Sequence, residues 1–161
     1  MVPPLSDKRA VTGILLLAGG FPASLFMFSF TPLGYMLVDW YMSGRLNDLT
    51  LSIIRNVPIS VLHIAGLSLY LAGRKEFLKR LKRDRSASLA FAILGVLLIV
   101  LGIFFISLNY AILKYYSTKI LGHPLTQEKL AGYLLPFVWS VLWGISGLLW
   151  LADGSRKLMN M

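Results

Sequence analysis

Few side chains in this sequence could do chemistry in an apolar setting, and they stand far apart. His63, Arg55 and Asp39 fall within or beside long apolar stretches, and His123 is the only other histidine. An ionisable group inside a membrane-spanning stretch is a functional candidate by default, because leaving water is costly for it unless it is paired. An imidazole such as His63 could ligate haem or a metal or relay a proton, and it is the one candidate here for binding a cofactor. His123 belongs to a connection, so a single chain cannot face His63 with a second histidine, although a homodimer could. The plainer reading is a neutral imidazole bonded to a neighbouring carbonyl, since polar side chains commonly tie membrane helices together. That plainer reading is the expectation for His63. Arg55 could pair with Asp39 or Asp48, or reach lipid phosphate along its own stem.

Catalytic patterns are missing from the sequence. It holds no phosphate-cradling glycine loop, no histidine–carboxylate metal spacing, and no nucleophile set beside a base. Asp and Glu total 7 and form no recognisable pair. The absence of cysteine rules out thiolate chemistry and disulfides. The expectation is a protein that is not an enzyme, with no cofactor and no metal.

Composition sets the elements that must position these residues. The chain is 57% hydrophobic and 14% charged over 161 residues, where a soluble domain carries roughly 45–50% apolar and about 25% charged residues. A water-soluble core could not hide so much apolar surface. A membrane span needs about 20 mostly apolar residues, and four windows qualify, at 10–33, 51–73, 87–109 and 131–152. The first apolar stretch, Val11 to Val38, has no small-residue cleavage site closing a short apolar region, so it reads as a span rather than a signal peptide. Ser6 and Asp7 before the first window, and Thr126 with Gln127 and Glu128 before the last, are helix-start signals. The expected fold is all-α, with four transmembrane helices.

Charge gives a direction. Lys8 and Arg9, the group Arg74, Lys75, Lys79, Arg80, Lys82, Arg83 and Arg85, and the pair Arg156 and Lys157 make up 11 of the 16 basic residues. Positive segments stay on the cytoplasmic side, so both termini and the middle connection (74–86) are expected there, with the protein in the cell membrane. The middle group is the candidate site for anionic lipid headgroups, with Phe77, Leu78 and Leu81 able to share an interfacial helix face. Orientation and lipid contact account for the net charge of +9, and no nucleic-acid partner is needed.

The sequence also echoes itself. "SVLHIAGLSLYLA" (Ser60–Ala72) returns as "SVLWGISGLLWLA" (Ser140–Ala152). Upstream, "YMLVDWYMSG" from Tyr35 resembles "YAILKYYSTK" from Tyr110, Leu49–Thr50 recurs at Leu125–Thr126, and Pro58 has a counterpart in Pro136. The reading is two tandem helical hairpins, about 8–73 and 87–157, related by an axis along the membrane normal. In this alignment His63 matches Trp143. The apolar pattern runs past the spans, from Leu33 to Met42 and from Ile112 to Leu121, so spans one and three are expected to project outside as helix and stop at Gly44 and Gly122. Trp40, Tyr41, Tyr115 and Tyr116 then sit at the height of an aromatic belt.

Lipid gives helices no hydrophobic reason to associate, so close approach falls to small residues. Ser88, Ala92, Gly95, Gly102 and Asn109 form one such stripe on span three. Gly132, Pro136, Ser140, Gly144 and Gly147 form another on span four. Gly19, Gly20 and Pro22 predict a kink in span one. With few polar groups in the spans and short connections, the functional expectation is an accessory, non-catalytic subunit of a larger membrane complex. It would work by packing against lipids and other membrane subunits. A small homo-oligomeric transporter or channel is the alternative, and a haem- or quinone-linked redox subunit using His63 is the third reading.

Overall fold

A computed structural model of the chain describes residues 5–81, 85–115 and 127–159. Among the described residues there are five helices and no strand: α1 (Leu5–Phe30), α2 (Pro32–Met42), α3 (Asp48–Leu81), α4 (Arg85–Tyr115) and α5 (Gln127–Met159). Three stretches of the described residues are long and apolar enough to cross a membrane: α3, α4, and Leu134–Arg156 of α5. With 31 residues, α4 extends about 46 Å at 1.5 Å per residue, more than the roughly 30 Å of a hydrocarbon core.

Pro22 stands inside the continuous helix α1. The interruption of helix comes later, at Thr31, which is extended (φ −112°, ψ 160°) ahead of Pro32. A residue before proline is pushed out of the α region, and proline is well suited to a first helical turn, where its missing N–H is no loss. The outward projection expected as a continuation of span one is therefore a separate helix, α2. Its end does fall at the expected glycine. Gly44 has a φ of +73°, a conformation glycine adopts without a Cβ penalty, and Arg45 N donates to Trp40 O at 2.8 Å. Asn47 then starts α3, its Oδ1 accepting from Thr50 N at 2.7 Å. Gly122, Tyr116 and Thr126 lie outside the described residues.

The segment 74–86, expected as a connection, is largely helix. α3 continues unbroken to Leu81 and α4 begins at Arg85, and the residues between them lie outside the described ones. Nothing in "RKEFLKRL" breaks a helix, since its residues are mostly good helix formers and none is Gly or Pro.

Packing organises the helices as two tight pairs joined by a central seam. α1 lies on α3, α4 lies on α5, and α3 meets α5. Glycines set both tight pairs. A Cβ placed on Gly66 would sit 3.0 Å from Gly13 O, and one on Gly13 would run into Gly66 O and Tyr70 N. In the other pair a Cβ on Gly147 would lie 2.6 Å from Gly95 O, and one on Gly95 would lie 2.8 Å from Gly147 O. Each pair thus crosses where one glycine faces another, backbone against backbone. Farther along α4 and α5, a Cβ on Gly154 would lie 2.7 Å from Ala92 N, and one on Gly102 would lie 3.0 Å from both Ser140 O and Gly144 N.

The small-residue stripes fall accordingly. Ser88, Ala92, Gly95 and Gly102 are buried on α4, as are Ser140 and Gly147 on α5. Ser88 Oγ also donates to Leu81 O at 2.9 Å, which joins the end of α3 to the first turn of α4. Gly144 is half-buried. Its backbone is approached by Gly102, while its own Cβ direction is open. Asn109 is half-buried on α4. Gly132 falls in the first turns of α5, and its surroundings lie outside the described residues.

Candidate functional site

Polar side chains gather on the α3–α5 seam. Asn56, His63 and Tyr70 recur every seven residues along α3, and Arg74 follows one turn later. A seven-residue step returns a side chain to nearly the same helix face. Asn56 Oδ1 accepts from Trp139 Nε1 at 3.1 Å, and Tyr70 OH donates to Asp153 Oδ2 at 2.5 Å. Both contacts join residues 83 apart. A constant offset over about four turns means that the two helices run parallel and in register.

Asp153 is the most fully engaged group in the seam. Its side chain is 1% exposed, against 33% for that of Arg74. Arg74 Nε donates to Oδ2 at 2.7 Å and Nη2 to Oδ1 at 2.5 Å. With the Tyr70 hydroxyl, the carboxylate accepts three hydrogen bonds. A planar guanidinium meeting both oxygens is the geometry in which a buried carboxylate is best compensated. Aromatic rings wall this cluster: Trp150 packs at 6.0 Å from Tyr70 and 5.2 Å from Phe91, and Phe77 at 6.3 Å from Tyr70 and 5.2 Å from Phe91.

His63 lies one heptad away, fully buried. Its Nδ1 is 2.6 Å from Ile59 O. A carbonyl can only accept, so Nδ1 carries the proton and Nε2 carries the lone pair. Among the described residues no group bonds Nε2. The ring is closed in by α1, where a Cβ on Gly20 would stand 3.5 Å from Cε1, and by Trp143 of α5, whose ring centroid lies 5.6 Å away. Trp143 in turn donates Nε1–H to Leu17 O at 2.9 Å, which ties α5 to α1. Haem ligation would require Nε2 to face open space, and the imidazole has no exposed surface. Among the described residues no group of three His, Cys, Asp or Glu side chains could hold a metal ion.

The other sequence candidates are not brought together. Arg55 and Asp39 are exposed, and Asp48 accepts from Tyr41 OH at 2.6 Å. In the basic group Arg74 turns inward to Asp153, which sets it apart from the headgroup candidates expected beside it. Lys75, Lys79, Arg80 and Arg85 are exposed, with Lys79 also 2.9 Å from Glu76. Lys82 and Arg83 lie outside the described residues. Gly19 is exposed on α1 and Gly20 buried.

Asp153, Tyr70, Asn56 and Trp139 were not legible as a site from composition. A signal was present in the echo, two residues past its end. "AGR" at Ala72–Arg74 aligns with "ADG" at Ala152–Gly154, so one copy carries a cation and the other an anion within one position of each other.

Comparison of the chain with protein-family models, with curated proteins and with solved structures returns no match. The functional reading therefore rests on the residues themselves.

Proposed function

We propose that this protein is a non-catalytic accessory subunit of a larger membrane complex, acting through helix packing and lipid contact. The observation that carries the proposal is the way the seam uses its polar groups. Asp153 is bound by Arg74 and Tyr70, and Asn56 by Trp139. Polar side chains that a transport pathway would turn toward a lumen are instead turned on one another.

In this reading α1, 26 residues and about 39 Å long, is a fourth span beside the three candidates, and the four form a bundle of two similar hairpins. Each of the two pairs crosses where one glycine faces another, as two similar hairpins would, although the repeat does not align these glycines with one another. The duplication is supported by contacts between corresponding positions, His63 with Trp143 and Tyr70 with Trp150. Corresponding residues meet when they lie near the axis relating two copies. The basic end of the bundle faces the cytoplasm by the positive-inside rule, with Lys75, Lys79, Arg80, Lys82, Arg83 and Arg85 set to meet anionic headgroups. Leu89, Ile93, Val96, Val100, Ile103 and Phe104 of α4 are exposed and give lipid tails or neighbouring subunits an apolar face.

A homo-oligomeric transporter is the competing reading, and flux measurement separates the two. Purified protein reconstituted alone into liposomes is expected to pass ions and small solutes no faster than empty vesicles do. A flux that disappears in His63→Ala or Arg55→Ala would overturn the accessory reading.

A further inference from the structure

The buried imidazole of His63 has a direction. Nδ1–H is committed to Ile59 O, so Nε2 is a buried acceptor with no donor among the described residues. A buried acceptor left without a donor destabilises a fold by about 1–3 kcal/mol, and interiors usually meet such a group with an enclosed water. A water needs at least two polar partners to be held. The second is on α5. The offset of 83 residues that sets Asn56 against Trp139 and Tyr70 against Asp153 brings Ser146 level with His63. Ser146 is fully buried. Its hydroxyl proton is given to Leu142 O at 2.8 Å, which leaves the Oγ lone pairs to accept.

Two enclosed acceptors in one layer call for a ligand with two donors. A carbonyl compound cannot serve, and a metal ion would find no anionic group in the layer. We propose that His63 Nε2 and Ser146 Oγ form a site for one buried water molecule, which donates one hydrogen to each and fastens the middle of the α3–α5 seam. The site differs from the cofactor role that histidine suggests in sequence. Here the imidazole acts as an acceptor held in one tautomer, with Nδ1 protonated by virtue of its own helix. The proposal does not depend on whether the protein is an accessory subunit.

Solid-state NMR of the full-length protein in lipid bilayers, labelled with nitrogen-15 at histidine, tests it. The expected result for His63 is a protonated Nδ1, an unprotonated Nε2, and magnetisation transfer from water to the ring at Nε2. In Ser146→Ala the tautomer stays the same and the transfer drops severalfold, because the water has lost one of its two anchors. The signal of His123, the other histidine, is assigned separately by its loss in His123→Ala. A proton on Nε2, or an unprotonated Nε2 with no transfer from water in the unmodified protein, overturns the proposal. Transfer that is undiminished in Ser146→Ala overturns it as well.

Discussion

Asp153 and Arg74 are 79 residues apart and joined by two hydrogen bonds, Nε to Oδ2 at 2.7 Å and Nη2 to Oδ1 at 2.5 Å. One group belongs to each tight helix pair, so the contact ties the pairs together at the basic end of the seam. Removing one partner of a fully buried ion pair destabilises by about 3–5 kcal/mol. Arg74 is a third exposed, and solvent screens that part of the interaction, so Arg74→Ala is expected to lose about 2–3 kcal/mol. Tyr70→Phe removes one hydrogen bond to the same carboxylate and is expected to lose about 1–2 kcal/mol. Arg74→Lys falls between Arg74→Ala and the unmodified protein, since an ammonium cannot meet both oxygens. Thermal unfolding in mild detergent gives the order. Equal melting temperatures for Arg74→Ala and the parent would remove the pair from the fold's support.

Neighbouring glycines on α5 give a contrast that helix propensity alone cannot produce. A Cβ on Gly147 would meet Gly95 O at 2.6 Å, whereas one on Gly144 meets nothing within 4 Å. Alanine favours helix over glycine by up to about 1 kcal/mol, and overpacking a tight contact costs typically 1–3 kcal/mol. Gly144→Ala should leave the melting temperature unchanged or raised, and Gly147→Ala should lower it. Gly102→Leu should lower it more than Leu98→Ala does, because the larger side chain separates α4 from the backbone of α5. A stable Gly147→Ala would mean that the α4–α5 crossing is looser than described.

The exposed cations at the end of α3 and the start of α4 are expected to hold anionic lipid, each contributing about 1 kcal/mol near a charged surface. Neutralising Lys75, Arg80 and Arg85 together to glutamine should reduce the anionic phospholipid that copurifies with the protein and leave zwitterionic lipid unaffected. Mass spectrometry of the extracted lipids reads the ratio. A ratio that does not change would assign these residues to orientation alone.

Orientation is open to a direct check, because the chain has no cysteine of its own. Single cysteines at Ser43, in the turn after α2, and at Lys75, on α3, provide unique labels. A membrane-impermeant maleimide added to intact cells should modify Ser43→Cys and spare Lys75→Cys until the membrane is opened. The reverse pattern would invert the assignment of the cytoplasmic side.

Much of the architecture was legible because apolar length and small-residue spacing are direct consequences of packing helices without water. Gly95, Gly102 and Gly147 could be singled out by helical spacing, and they lie at the α4–α5 crossing. The ends of elements were less legible. Thr31 and Pro32 sit in an unbroken apolar pattern, and the conformational restriction before proline overrides that pattern. Arg74 read as one more cation in a basic run, and its partner Asp153 stands one residue past the fourth apolar window. Single-helix periodicity says nothing of which faces meet, so a pairing across 79 residues stayed hidden until α3 and α5 were placed in register. His63 was visible as a polar residue in a span, but its tautomer depends on Ile59 O and its enclosure on Gly20 and Trp143, which come from two other helices.

Native mass spectrometry of the protein drawn from its own membranes in mild detergent, with an absorbance spectrum of the same sample, tests the proposed function most directly. As an accessory subunit, it is expected at fixed stoichiometry with larger, different membrane subunits, and dissociation should release it as a colourless chain of 18.0 kDa. A spectrum of the isolated chain alone, or of a homo-oligomer with no other subunit, would contradict that function.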